Sequence, residues 1–232
     1  REDACRAVRR VVLQIEEVAN ESPVLIGSST EDPLRRSIQM IATSWLGYRW
    51  LLSSTRSARK TLECLDLDTL PEPKMGTELT SEIPVRWATD SCHWTIFSSG
   101  TTGEPKSIDL TWSQIEASAE GARERLAITE EDRWLCVLSL GYIAGASILA
   151  RACVIGHQVV FGGKFDAKGF HALVETTRTT VTSLVPTMLS LILDIQERAP
   201  STLRVVMLGG GASSDKVRAK AVDWPLWITW GM

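Results

Sequence analysis

The first fifty residues carry hydrophobic patterns that predict two helices and two short strands. Apolar residues at helical spacing, with Arg and Glu on the opposite face, predict an amphipathic helix over 3–19. Its apolar stripe consists of Ala4, Val8, Val11, Val12, Ile15 and Val18. The run 23–27 predicts a strand, and Asp32-Pro33 predicts the start of a second helix, with the Asp as N-cap and the Pro at the first helical position. Gly47 ends that helix, and 49–52 predicts another strand.

From residue 93 onward, short apolar runs that predict strands alternate with segments that predict helices. The runs predict strands at 93–97, 108–111, 134–138, 158–161, 180–185, 203–208 and 226–230. The segments between them predict helices at 113–126, 145–155, 166–177, 187–198 and 214–222. Ser113 and Glu116 have the spacing of a capping box. Because strands that are apolar throughout are buried on both faces, the alternation predicts an α/β fold with a mostly parallel, doubly wound sheet.

The segment 66–91 differs from both of these regions. It is dominated by Asp, Pro, Thr, Ser and Glu and shows no lasting hydrophobic period, which predicts a connecting segment. We therefore expect an N-terminal βα subdomain over 1–65, the connecting segment over 66–91, and an α/β subdomain over 92–232.

Composition and charge exclude several classes of protein. With 232 residues, 44% hydrophobic and 23% charged, the chain is not collagen, low-complexity disorder or a coiled coil. Its 25 basic and 28 acidic residues give a net charge of -3, so we expect no nucleic-acid partner. The longest uncharged stretch, 134–150, is short for a bilayer span and contains Gly and Ser, so we expect no membrane span.

The cysteines and histidines form no recognisable metal or disulfide pattern. The five cysteines are scattered, and neither a CxxC pair nor an HxxxH spacing occurs. This predicts free thiols in a reducing cytoplasm and no set of metal-ligating side chains. His157 and His171 are expected to be structural or exposed.

The most informative stretch is the string Ser98-Ser99-Gly100-Thr101-Thr102-Gly103-Glu104-Pro105-Lys106. Its two glycines allow tight turns that aim backbone N–H groups into one concavity. The hydroxyls add donors and Lys106 adds a cation, a combination that suits a polyphosphate. The string is not a Walker A loop, in which Gly-Lys is followed by Ser or Thr. The plainer alternative is a Gly-rich hairpin turn between the strands 93–97 and 108–111.

The stretch 97–106 resembles the phosphate-binding signature of the adenylate-forming superfamily, which includes acyl-CoA synthetases, luciferases and the adenylation domains of peptide synthetases. Three later blocks agree with that superfamily in order and spacing. They are Leu184-Val185-Pro186-Thr187, similar to the turn beside the acyl pocket, Leu208-Gly209-Gly210-Gly211-Ala212, similar to the turn that borders the adenine, and Thr229-Trp230-Gly231-Met232, similar to the start of the aromatic-Gly-x-Thr-Glu block. The resemblance covers nearly the whole chain and implies the fold of the large N-terminal domain of these enzymes.

The resemblance implies an acid–thiol ligase that works in two half-reactions. A carboxylate attacks the α-phosphorus of ATP to give an acyl-adenylate and pyrophosphate, and a thiol, usually that of CoA, then displaces AMP. The implied partners are therefore ATP, Mg²⁺, CoA and a small carboxylic acid. Thr101 and Lys106 are the implied catalytic residues. The implied nucleotide-binding residues are Ser98, Ser99, Gly100, Thr101, Thr102, Gly103, Lys106, Gly209, Gly210, Gly211, Trp230, Gly231 and Met232. Tyr142, Pro186 and Thr187 would border the acyl group.

A plainer alternative stands beside several of these roles. Tyr142 could be an ordinary aromatic residue at a strand end, Thr187 could cap its helix, and Trp230 could belong to the core. The glycines at 209–211 could simply end a strand, and Lys106 could be a solvated cation.

Within the superfamily the sequence is most similar to the o-succinylbenzoate–CoA ligases of menaquinone or phylloquinone synthesis, over 134–149, 183–189 and 209–211. Gly141-Tyr142 departs from the aromatic-His pair that is usual there. Trp112 and Ser107 are departures as well, from a common His and a usual Gly. These differences leave open a fatty-acyl or aryl-acid adenylating enzyme with another substrate, and a non-catalytic nucleotide-binding homologue.

Some parts of such an enzyme have no counterpart in this sequence. They are the Thr-Glu that would follow Met232, a downstream Asp that binds the ribose, and a small C-terminal domain with a catalytic Lys. We therefore expect an N-terminal fragment of about half such an enzyme, with a fold that is incomplete at its C-terminus. Alone, the fragment is expected to be a weak or inactive catalyst.

Overall fold

The computed structural model of the protein describes five ranges of the chain. These are residues 2–18, 25–52, 65–66, 88–98 and 106–230. Most of the predicted connecting segment, and all of the loop 99–105, lie outside the described residues.

Helices and strands alternate through the described ranges, as the hydrophobic pattern predicted. The helices are α1 (Glu2–Val18), α2 (Pro33–Trp45), α3 (Trp112–Leu126), α4 (Ile143–Ile155), α5 (Phe170–Thr177), α6 (Pro186–Leu193) and α7 (Asp215–Lys220). The strands are β1 (Leu25–Gly27), β2 (Arg49–Leu52), β3 (Leu65–Asp66), β4 (Cys92–Ser98), β5 (Lys106–Thr111), β6 (Arg133–Cys136), β7 (Gln158–Phe161), β8 (Val181–Leu184), β9 (Val205–Leu208) and β10 (Leu226–Ile228). Of these only the two-residue β3 had no predicted counterpart.

Local signals account for the ends of α2. The Asp32 carboxylate accepts a hydrogen bond from the Arg35 N–H at 2.8 Å, and Pro33 occupies the first helical position. Gly47 follows the helix with a φ of 74°, the left-handed conformation that glycine adopts without strain. The predicted N-cap and stop of this helix are both confirmed.

The helix α3 begins one residue before the predicted start, and its N-cap lies two residues before the predicted one. The side chain of Gln114 accepts a hydrogen bond from the Thr111 N–H at 3.0 Å, and Thr111 Oγ1 accepts one from the Gln114 N–H at 3.3 Å. This reciprocal pair is a capping box with Thr111 as the N-cap. The predicted pair, Ser113 with Glu116, has the same spacing but already lies inside the helix.

The strands form two sheets of five rather than one. The first has the order β3-β1-β2-β4-β5, in which only the β4–β5 pair is antiparallel. The second has the order β10-β9-β8-β6-β7 and is parallel throughout. The α/β class and the mostly parallel pairing are as predicted.

Two compact units correspond to these sheets. One comprises Arg1–Ile115 with Leu140–Ile143, and the other comprises Glu116–Ser139 with Ala144–Met232. The expected boundary between residues 91 and 92 differs from this division, because β4 pairs with β2 and so belongs to the first sheet. Local patterns predict strands, but long-range contacts decide which strands pair.

The core of the second unit packs helices α5 and α6 against one face of the parallel sheet. Leu135, Leu184, Val206 and Leu208 contribute from the strands, and Phe170, Val174, Leu189, Ile192 and Leu193 contribute from the helices. Trp224 closes this cluster, stacking on Phe170 and donating a hydrogen bond from Nε1 to the Glu197 carbonyl at 2.6 Å.

A half-buried ion pair, in which the carboxylate is buried and the guanidinium is partly exposed, holds the amino end of the second sheet together. Asp132, only 4% exposed, accepts hydrogen bonds from Arg204 and Thr180 and from the backbone N–H of Thr129. Burial by itself raises the pKa of the Asp132 carboxyl, but these hydrogen bonds outweigh it and hold the pKa below its usual value. Arg204 also donates to the carbonyls of Leu126 and Ala127, so the pair ties the end of α3 to β9.

The uncharged stretch 134–150 divides between β6 and the first half of α4, as expected. No helix in the part of the chain that the structure describes combines the length and the apolar character needed to cross a membrane.

Candidate functional site

Three neighbouring strands of the second sheet end side by side. Leu184 of β8 pairs with Leu208 of β9, and Leu208 pairs with Ile228 of β10. Because the strands are parallel, the turns that follow them emerge together at the carboxyl edge of the sheet. That edge is where open α/β sheets usually bind ligands.

The glycine turn after β9 is shaped by its two neighbours. The Gly209 N–H donates to the Leu184 carbonyl at 3.1 Å, and a Cβ atom at Gly209 would overlap the hydroxyl oxygen of Thr229. Gly210 has a φ of 79°, and a Cβ there would lie 3.1 Å from Val185 Cγ1. Protein packing and backbone conformation therefore explain both glycines.

Gly211 is different from the other two glycines. No described atom lies within 4 Å of the position that its Cβ would take, and its φ is not in the left-handed range. Neither protein packing nor backbone strain requires a glycine here. However, because Gly211 has no side chain, a bound molecule can approach its backbone closely.

The turn after β10 carries Thr229 and Trp230. The Thr229 N–H donates to the Leu208 carbonyl at 2.8 Å, and its hydroxyl donates to the same oxygen at 3.2 Å. Trp230, the next residue, is 83% exposed. This exposure excludes the alternative that Trp230 belongs to the core.

The turn after β8 leads directly into α6. Val185 is the N-cap residue in extended conformation, and Pro186 occupies the first helical position. Thr187 is exposed in the first turn. The alternative that Thr187 caps this helix is therefore excluded, since the cap lies two residues earlier and makes no side-chain hydrogen bond.

In the first unit, β4 and β5 flank the predicted phosphate loop. Ser98 ends β4, Lys106 begins β5, and these two residues are paired across the antiparallel strands. This antiparallel pairing of the two strands is the one that the hairpin alternative predicted, and the phosphate-binding role of the loop stays a prediction. Ser99, Gly100, Thr101, Thr102 and Gly103 lie outside the described residues, as do the side chains of Ser98 and Lys106.

Polar contacts hold the body of this hairpin. Thr95 Oγ1 donates to Asp109 Oδ1 at 2.7 Å across the strand pair, and Arg49 Nη1 lies 3.2 Å from Asp109 Oδ2. Burial and the Asp109 charge raise the pKa of the nearby Cys92 thiol. This thiol is therefore protonated at neutral pH and is not an activated nucleophile.

Tyr142 lies in the short stretch Leu140–Ile143, which groups with the first unit. Its side chain is 58% exposed. Immediately after it, α4 begins, and Gly145 passes so close to the Ser139 carbonyl that any Cβ would overlap it. Tyr142 is thus available for contact with a ligand, and its role in an acyl pocket stays a prediction.

The two histidines that were expected to be structural or exposed, His157 and His171, are both buried. His157 is buried against Trp134, and His171 is buried with Nε2 2.9 Å from the Arg198 carbonyl. Burial lowers the pKa of His157. Among the described residues, no group of three or more His, Cys, Asp or Glu could hold a metal ion.

A cleft of about 520 Å³ also opens in the second unit, away from the carboxyl-edge turns. Residues of both charges line it, including Glu197, Arg198, Lys216, Lys220 and Asp223. No predicted site residue contributes to its lining.

The structure therefore brings together Pro186, Thr187, Trp230 and the three glycines at one sheet edge. Gly231 and Met232 fall outside the described residues. The sequence did not single out Thr229 by itself, although it stands directly before the predicted aromatic residue.

Glycine-rich turns at the carboxyl edge of a parallel sheet are typical of α/β proteins that bind nucleotides. The sequence model of one family, described as AMP-binding enzyme, matches residues 9–232. The chain belongs to this family.

Curated relatives agree with this assignment. A 2-succinylbenzoate–CoA ligase of Bacillus pumilus is 34% identical over 168 residues, which are 72% of this chain and 34% of that protein. A ligase of the same name from Bacillus cereus is 28% identical over 227 residues, covering 86% of this chain and 47% of its own length. The chain thus spans between a third and a half of the length of these relatives.

Solved structures show the same fold. The o-succinylbenzoate CoA synthetase of Bacillus subtilis, in complex with ATP and magnesium, matches with a TM-score of 0.81 at 23% identity, over 97% of this chain and 52% of that one. An amide bond synthetase from Marinactinospora thermotolerans matches with a TM-score of 0.78 at 17% identity, over 97% and 53%. The fold therefore serves enzymes that make different products.

Proposed function

We propose that this chain supplies the nucleotide site of an enzyme that activates a carboxylic acid with ATP. The observation that carries the proposal is the carboxyl edge of the second sheet, where the open backbone at Gly211 and the exposed Trp230 flank the same β9–β10 pair. Membership in the AMP-binding enzyme family gives this edge its expected ligand.

The adenine would lie against the glycine turn and stack on Trp230. An exposed indole offers a large apolar face, and stacking of a base on such a ring is worth about 1–3 kcal/mol. Gly211 allows the ligand to approach the backbone, since a side chain at this position would occupy the same open space.

The triphosphate would be held by the loop between β4 and β5. The paired ends Ser98 and Lys106 fix the two ends of that loop, and its glycines, hydroxyls and Lys106 suit a polyphosphate. ATP would enter as its Mg²⁺ complex. In this proposal the Thr101 hydroxyl donates a hydrogen bond to the departing pyrophosphate and Lys106 neutralises part of its charge, which is electrostatic rather than proton-transfer catalysis.

For the acid, we propose o-succinylbenzoate, with CoA as the thiol acceptor and the cytoplasm as the location. The support is the name shared by the curated relatives and their identity of up to 34%. Tyr142, Pro186 and Thr187 would border the acyl group. A longer fatty acid or another aryl acid is the competing substrate, because the fold is shared by enzymes with other products.

Binding of stable acyl-adenylate analogues tests the proposal without requiring turnover. The chain is titrated with sulfamoyl adenosines that carry an o-succinylbenzoyl, a benzoyl or a decanoyl group, with AMP as the reference. We expect the o-succinylbenzoyl compound to bind at least tenfold more tightly than the other analogues and AMP. Equal affinity for all acyl groups would contradict the substrate assignment, and no binding of any compound would contradict the nucleotide site.

A further inference from the structure

We infer that Thr229 is a positioning residue that locks the glycine turn and Trp230 into one arrangement for nucleotide binding. The inference rests on the proposed function. It concerns a residue that does not itself need to touch the nucleotide.

The contacts that hold this arrangement meet at the carbonyl oxygen of Leu208. That oxygen accepts two hydrogen bonds from Thr229, one from the backbone N–H at 2.8 Å and one from the hydroxyl at 3.2 Å. The backbone bond continues the pairing of β9 with β10 beyond their last paired residues, Leu208 and Ile228. The side-chain bond is additional and depends on residue type.

Gly209 contributes to this arrangement because it leaves room for the Thr229 hydroxyl. A Cβ at Gly209 would overlap Thr229 Oγ1, so the hydroxyl sits directly against the backbone of the turn. On its other side the same glycine donates to the Leu184 carbonyl at 3.1 Å. The peptide between Leu208 and Gly209 is thereby held from both neighbouring strands.

Trp230 is coupled to the turn through the same residue. Its own side chain is almost fully exposed and so is not held by packing. Its backbone follows Thr229, which is bonded to the strand that ends in the glycine turn. Since a preorganised site spends less free energy on ordering when the ligand binds, we expect loss of the hydroxyl to weaken nucleotide affinity.

A second threonine provides the matched control. Thr182, buried in β8 of the same sheet, donates from Oγ1 to the Leu135 carbonyl at 3.1 Å. Thr182→Val and Thr229→Val each remove one hydroxyl-to-carbonyl bond between neighbouring strands. Only the second of these bonds lies at the carboxyl edge.

The experiment measures AMP affinity by isothermal titration, and the urea midpoint by circular dichroism, for the unmodified chain and for Thr229→Val, Thr229→Ser and Thr182→Val. We expect Thr229→Val to weaken AMP binding about three- to fivefold, since the free energy of one net hydrogen bond sets the upper limit of the effect, while Thr229→Ser stays within about twofold. Thr182→Val should lower the urea midpoint but leave AMP affinity unchanged.

Three results would overturn the inference. If Thr229→Val binds AMP as tightly as the unmodified chain, Thr229 does not position the site although the proposed function stands. If Thr182→Val weakens AMP binding as much as Thr229→Val, the effect is one of general stability. If the unmodified chain binds no AMP, the proposed function fails, and the inference fails with it.

Discussion

The packing of Gly209 against Thr229 predicts a specific coupling between two substitutions. In Gly209→Ala, the new methyl group would overlap Thr229 Oγ1, while Thr229 Cβ would lie 3.5 Å away at an ordinary contact distance. The clash is therefore with one atom, the hydroxyl oxygen. Removal of that atom should restore the space.

The expected magnitudes follow from these contacts. Gly209→Ala must either shift the turn or rotate the Thr229 hydroxyl away from the Leu208 carbonyl, and overpacking of this kind costs about 1–3 kcal/mol. Thr229→Ala alone loses one hydrogen bond, about 1 kcal/mol, because the Thr229 N–H still donates to the Leu208 carbonyl. In the double variant the clash is absent. We therefore expect a coupling of about 1–2 kcal/mol between the two changes.

Urea unfolding followed by far-ultraviolet circular dichroism measures this coupling across the four proteins of the cycle. Thr229→Val is the control partner, because one of its methyl groups occupies the place of Oγ1 and should leave the clash with Gly209→Ala in place. Additive effects, or an equal rescue by Thr229→Val, would refute the packing argument.

Three further predictions follow from other parts of the second unit. Asp132→Asn should destabilise the chain by about 1.5–3 kcal/mol, the range for losing hydrogen bonds to a charged group, because the Arg204 side chain left behind is partly exposed. Urea midpoints should show that the stability contributed by the lowered pKa of Asp132 is present above pH 4 and is lost at lower pH in the unmodified chain only; an unchanged acid profile in Asp132→Asn would count against the ion pair. Trp224→Ala should lower the free energy of unfolding by about 3–5 kcal/mol, because its ring is buried. Trp230→Ala should change the thermal midpoint little, because its ring is exposed; equal losses of stability would contradict this difference in burial. Burial raises the pKa of the Cys136 thiol to about 11, so iodoacetamide at pH 7.5 should label Cys136 only after urea is added. Peptide mass spectrometry locates the label, and labelling of Cys136 in the folded chain would contradict its burial.

Local sequence patterns predicted most helices and strands because these elements carry a recognisable hydrophobic pattern or cap. The stripe of α1 is confirmed at Val8, Val12 and Ile15, which are buried. The start of α2 was evident from Asp32-Pro33. The predicted N-cap of α3 was wrong because two overlapping pairs of residues have capping-box spacing, and the structure uses Thr111 with Gln114.

The division into two sheets could not be predicted in the same way. The strand β4 is equally apolar whether it opens a new sheet or extends an old one, and its pairing with β2 depends on contacts between residues such as Trp50 and Trp94 that are distant in the sequence. The antiparallel β4–β5 pair was predicted only as an alternative, because the connection between the two strands is rich in glycine.

The candidate site was only partly predictable for a related reason. The glycine and aromatic motifs identified the turns after β9 and β10, but not the side chain that joins them. Thr229 acquires its role from the register that places Leu208 beside Ile228. The sequence alone does not indicate that a threonine before an aromatic residue contacts the neighbouring strand, because that contact depends on the register.

Hydrogen–deuterium exchange of the chain with and without saturating AMP tests the central claim most directly. We predict slower exchange at the backbone amides of 209–211 and 229–230, at the carboxyl edge of the second sheet, with no change around the charged cleft lined by Arg198, Lys216 and Lys220. Protection confined to that cleft, or no protection anywhere at an AMP concentration that saturates binding, would contradict a nucleotide site at this edge.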